Sequence, residues 1–169
     1  MEVIEGSKGK IYRLLIVDDD PFIHRTYQTI LTPRSRKAIS EAALNRDFTV
    51  DYAESGETAV ERCEALKEQG EEYSVAFVDM SLGLGMDGIQ TIKKLWQVFP
   101  RLEVVFCTGN DDLYWKDKFI KISDTHRLVV LKKPFDTEEV RQLARSLTAK
   151  WDFENSLLEK LKKLESENS

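Results

Sequence analysis

The chain has 169 residues, enough for one domain of ordinary size and an appendage, and its 41% apolar content can build a real core. A net charge of −5 lacks the basic footprint of a general nucleic-acid binder, and no stretch reaches the roughly 18 apolar residues that a membrane span needs. The cysteines Cys63 and Cys107 are too few and too isolated for a disulfide framework or a zinc site.

Residues 1–9 read as a disordered N-terminus. Met1 to Lys10 is polar and lacks the apolar segment of a secretory signal, so the cytoplasm is the expected compartment. The first strand is expected over Tyr12–Val17 and the first helix over Pro21–Leu31, where Pro21 suits the first turn because its missing N–H costs nothing there. The stretch to Phe48 is longer than a helix and a turn require. Pro33 divides it, and Ser35–Asn45 is expected to extend the first helix or form another. Arg34, Arg36 and Lys37 fall here and read as a solvated helix face. Strands then follow at Phe48–Ala53, Val75–Asp79, Glu103–Cys107 and Leu128–Leu131, with helices at Glu57–Lys67, Ile89–Phe99 and Asp112–Ile122 between them. Ser55-Gly56 opens the second helix, Gly70 closes it, and Pro100 follows the third. The last helix begins at Asp136, an N-cap with a capping-box partner in Glu139. Apolar residues Val140, Leu143, Leu147, Trp151, Leu158 and Leu161, with Leu157 and Leu164, continue far along it. Residues 149–169 therefore read as a C-terminal helix that frays or as a coiled-coil linker. Strands alternating with helices define an α/β fold with a parallel sheet covered on both faces.

The chemistry gathers at the strand ends. Asp18-Asp19-Asp20 follows the apolar run Leu14-Leu15-Ile16-Val17, and open parallel sheets bind ligands at that edge. Two carboxylates about 5 Å apart repel by roughly 3 kcal/mol at an effective dielectric near 20. The cluster calls for a cation, and carboxylate oxygens suit a hard one such as Mg²⁺. Asp79 closes the third strand, Thr108 the fourth and Lys133 the fifth, so all converge on one edge. Each has a plainer reading when taken singly. Asp18 to Asp20 suit a helix N-terminus, Asp79 a strand-end turn, Thr108 a helix cap, and Lys133 beside Lys132 a solvated pair.

Together these residues resemble a response-regulator receiver domain, the phospho-acceptor module of two-component signalling. The match runs from about residue 10 to 148. It comprises the Asp pair, Asp79 followed by Met86-Asp87-Gly88, Thr108-Gly109 and Lys133-Pro134-Phe135. The resemblance implies a five-stranded doubly wound sheet of order 2-1-3-4-5, and a protein that catalyses only its own phosphorylation and dephosphorylation. Asp79 would take a phosphoryl group from a histidine kinase or phosphotransfer protein. Asp19, Asp79 and the Ser81 carbonyl would bind Mg²⁺ directly, with Asp18 assisting through a water, while Lys133 and Thr108 would engage the phosphoryl oxygens. An output domain after residue 169 and a homodimer through the C-terminal helix are the further expectations.

Two departures stand out. The loop Met80-Ser81-Leu82-Gly83-Leu84-Gly85 is one residue longer than the family's usual loop and lacks its Pro, and Val130 occupies the position of an aromatic switch residue. Output is then expected through Tyr114 and Trp115 or through the long last helix. The departures also keep open a receiver-like interaction module that works without phosphorylation. An aspartyl phosphatase is disfavoured because Ser81, two residues past Asp79, lacks the proton chemistry of a general acid.

Overall fold

The computed structural model describes residues 10–32, 47–109, 117, 121–122 and 126–168. In chain order the elements are β1 (Ile11–Val17), α1 (Pro21–Leu31), β2 (Asp47–Ala53), α2 (Gly56–Glu68), β3 (Val75–Asp79), α3 (Gly88–Val98), β4 (Glu103–Thr108), β5 (Leu128–Lys132) and α4 (Thr137–Glu167). Each described element lies within a residue of its expected bounds. The 1–9 segment, Ser35–Asn45, Tyr114 and Trp115 lie outside the described residues, as does Asp112–Ile122 apart from Asp117, Lys121 and Ile122.

The strands form one parallel sheet in the order β2-β1-β3-β4-β5. Alternation along the strands sends side chains to two separate cores. Leu15, Val17, Ala76 and Val78 pack under α2 and α3 with Ala59, Cys63, Ile92 and Leu95. Leu14, Ile16, Val75 and Phe77 pack under α1 and α4 with Tyr27, Ile30, Val140 and Ala144. β3 is buried along its whole length, as a central parallel strand must be.

Caps fix where the helices begin. Asp20 accepts from Phe22 N–H ahead of Pro21, and Ser55 accepts from Thr58 N–H. Asp87 with Gln90 and Asp136 with Glu139 both form reciprocal capping boxes. The last helix does not end with the sheet. Val140, Ala144, Leu147 and Trp151 are buried, whereas Phe153, Leu157, Leu161 and Leu164 are exposed. Its middle is clamped to the sheet's N-terminal edge. Glu103, fully buried at the start of β4, pairs with Arg127 at 2.8 Å and Lys150 at 2.9 Å, and Arg127 also reaches Glu154 at 2.7 Å. Lys10 meets Asp152 at 2.5 Å and lies over the Trp151 ring. The helix thus stays tied to β4 through Lys150 and to the turn before β5 through Glu154. Among the described residues no helix is long and apolar enough to cross a membrane.

Candidate functional site

β1 and β3 are neighbours, and their shared register runs from Leu14 opposite Val75 to Val17 opposite Val78. The residues just past these pairs, Asp18 and Asp79, therefore emerge side by side at the C-terminal edge. β4 adds Thr108, because Asp79 stands opposite Cys107. β5 ends at Lys132, so Lys133 stands one place past its strand rather than closing it. Its N–H donates to the Thr108 carbonyl at 2.7 Å, and its peptide bond to Pro134 is cis.

Four of the expected residues come together. Carboxylate oxygens of Asp18, Asp19 and Asp79 lie within 4.8 Å of one another. The Lys133 ammonium donates to Asp18 Oδ2 at 2.9 Å and lies 3.1 Å from Asp79 Oδ1. Asp18 is only 3% exposed and Asp79 only 9%, while Asp19 faces solvent. Asp20 belongs to the helix instead: its carboxylate caps α1, and its N–H donates to Asp18 Oδ1 at 2.9 Å. The plainer cap reading thus holds for the third acid of the run, while the first two lie in the carboxylate cluster. Thr108 is buried at 1% exposure. Ser81 is exposed in the loop two residues beyond Asp79.

Burial pushes the Asp79 carboxyl up from 3.8 to about 6; the Lys133 charge opposes this, and the Asp18 and Asp19 charges reinforce it. Burial works against the Lys133 ammonium, but its hydrogen bond to Asp18 and the charges of Asp79 and Asp18 outweigh that and hold its pKa above the ordinary value. One ammonium among three carboxylates leaves the pocket short of positive charge. An all-oxygen donor set of this kind fits a hard divalent ion such as Mg²⁺. Cys107 is no candidate nucleophile. Burial raises its thiol to about 12, and it sits 3.3 Å from the Tyr27 hydroxyl beneath the pocket.

Contacts between separate elements add residues that sequence reasoning missed. His24 Nε2 lies 2.6 Å from the Asp18 carbonyl, and its ring stacks on Tyr52 at 4.9 Å. Glu57 accepts from Met86 N–H at 2.9 Å. Neither residue carries a spacing that advertises the contact. The Asp87–Gln90 capping box was legible in principle, since an acid followed three residues later by Gln is a helix-start pattern.

Carboxylates on adjacent strand ends, a hydroxyl and a lysine around one edge of a 2-1-3-4-5 sheet define a phospho-accepting signalling module. The chain matches the family described as response regulator receiver domain over residues 14–145, and it belongs to that family. Solved structures agree. It is similar to a structure titled adenylate cyclase from Rhodopirellula baltica, at 26% identity and a TM-score of 0.66, covering 91% of this chain and 99% of that one. The REC domain of AraT, a response regulator from Geobacillus stearothermophilus, aligns at 25% identity and a TM-score of 0.62, covering 86% of this chain and 99% of that one. The N-terminal domain of a response regulator/sensory box/GGDEF protein from Carboxydothermus hydrogenoformans also aligns at 25% identity and 0.62, covering 84% of this chain and 98% of that one. No curated protein matches it in sequence.

Proposed function

We propose that this receiver domain accepts a phosphoryl group on Asp79 from a phosphohistidine of a histidine kinase or phosphotransfer protein, in the cytoplasm and with Mg²⁺. The observation that carries the reading is the Lys133 ammonium, held between Asp18 and Asp79 at 2.9 and 3.1 Å beside a third carboxylate. Asp18, Asp19, Asp79 and the Ser81 carbonyl would hold the ion, which supplies charge that offsets the carboxylates and the transferring oxygens. An Asp79 carboxylate oxygen attacks phosphorus. The phosphorus–nitrogen bond of the donor breaks, and its electron pair leaves on the imidazole, which takes a proton from solvent. Lys133 pairs with a phosphoryl oxygen as a point charge, and Thr108 turns its hydroxyl toward the group. In hydrolysis, water attacks phosphorus and the carboxylate returns.

The modified side chain carries about −1.5 to −2 charges where one stood before. α4 begins just past Lys133 and runs to Glu167, which supports relay to a partner or to an output domain after residue 169. The exposed stripe Phe153, Leu157, Leu161 and Leu164 supports pairing with a second copy. Incubation with acetyl phosphate and Mg²⁺ tests the acceptor. The wild type should gain the mass of one phosphoryl group, and Asp79→Asn should gain none; an equal adduct on both would refute the assignment.

A further inference from the structure

The loop between β3 and α3 approaches two different carboxylates. At Gly83 (φ +70°) a Cβ would stand 3.3 Å from Asp19 Oδ2, and at Gly85 (φ +100°) one would stand 2.6 Å from Glu57 Oε1. Both positions use left-handed backbone that favours glycine. The following amide, Met86 N–H, donates to that same Glu57 oxygen at 2.9 Å. The base of the loop is fixed separately: Met80 N–H donates to the Cys107 carbonyl, and Gly88 N–H donates to the Met80 carbonyl. Leu82 is buried, whereas Leu84, between the two glycines, is 98% exposed. Glu57 therefore ties the loop's far side to another element, the first turn of α2. That position is itself set by the Ser55 cap.

We propose that Glu57 is a positioning residue for the acidic pocket. By holding Met86 N–H it keeps the Gly83 segment against Asp19, and so sets the pocket's affinity for Mg²⁺ and the lifetime of the phosphoryl group. The proposal deepens the phosphoryl-acceptor reading and rests on it. With two glycines and no proline the segment has many backbone states, and an untied loop would spend less time in the one that lines the pocket. Losing the tie weakens the ion's site and admits water. The tie needs an acceptor oxygen and not a charge, which separates it from plain electrostatics.

The test compares wild type, Glu57→Ala, Glu57→Gln and Gly85→Ala by Mg²⁺ titration calorimetry, hydrogen exchange at the Met86 amide, and decay of the acetyl-phosphate adduct. Glu57→Ala should raise the Mg²⁺ dissociation constant and speed Met86 exchange by about two- to tenfold each, the range of one net hydrogen bond, and should shorten the adduct's lifetime. Glu57→Gln keeps a carbonyl acceptor and should retain most of all three properties. Gly85→Ala, whose Cβ would crowd the carboxylate, should act like Glu57→Ala, and the two together should be less than additive. Wild-type exchange and affinity in Glu57→Ala would overturn the proposal, as would a Glu57→Gln defect equal to that of Glu57→Ala. A wild type that neither binds Mg²⁺ nor takes a phosphoryl group would instead sink the acceptor reading, and with it the stated consequence of the tie. Met86 exchange reports on the hydrogen bond in either case.

Discussion

Asp79 is under opposing demands. Burial favours its neutral acid, whereas attack on phosphorus needs the anion. Its carboxyl is raised in the fold, from 3.8 to about 6, chiefly by burial and against the pull of Lys133. The folded state therefore prefers the proton. That preference stabilises the fold fully below pH 3.8 and is lost as pH rises through 6, so at pH 7.5 the ionised side chain costs stability. In chelator-treated buffer, Asp79→Asn should be more stable than wild type by on the order of 2 kcal/mol at pH 7.5 and nearly equal to it at pH 4. Denaturant melts at both values check this, and a gap unchanged between them would count against the raised carboxyl. Added Mg²⁺ should stabilise the wild type and leave Asp79→Asn largely unmoved, because only the intact acidic set gains from the ion. Asp18, Asp19, Asp79 and Lys133 were legible from the sequence because each follows an apolar strand run, and strand ends share one edge. His24 and Glu57 were not, because their contacts depend on how α1 and α2 lie against the sheet.

At the scale of elements, the sheet has two working edges. The C-terminal edge carries the acids, and the N-terminal edge carries a charge network joining β4, the turn before β5, and α4. Glu103 is fully buried and stays paired through Arg127 and Lys150, while Arg127 spans to Glu154. Removing one partner of a buried pair leaves an uncompensated charge, which costs more than the intact pair contributes. Arg127→Ala should destabilise the domain by about 2–4 kcal/mol, somewhat less than complete loss of partners because Lys150 remains. Urea melts would show it, and a change under about 0.5 kcal/mol, the scale of an ordinary surface substitution, would contradict the network's role. Sequence pattern located these elements well, since caps at Ser55 and Asp136 and the uninterrupted run after Pro134 are local signals. The network itself was invisible. A single Glu at the start of a strand reads as solvent-facing, and only the fold brings Lys150, many residues later in the chain, onto it.

At the scale of the whole molecule, α4 joins these two edges. It starts at the Asp136 cap, shortly after Lys133, packs against β3 and β4, is clamped at Lys150 to Glu154, and then continues to Glu167. Its final turns present Phe153, Leu157, Leu161 and Leu164 to solvent. A helix segment of about 12 residues without tertiary support is marginal in water, so the proposed pairing with a second copy would stabilise it by burying the stripe. Leu161→Asp places a charge in the middle of the stripe. Sedimentation should show the wild type as a dimer and this variant as a monomer. Leu161 touches neither core nor acidic pocket, so the yield of acetyl-phosphate adduct on Asp79 should be unchanged in the same sample. A monomeric wild type would remove the dimer from the account. An adduct lost together with the dimer would show that the pocket depends on assembly, contrary to a receiver whose chemistry is complete within one chain.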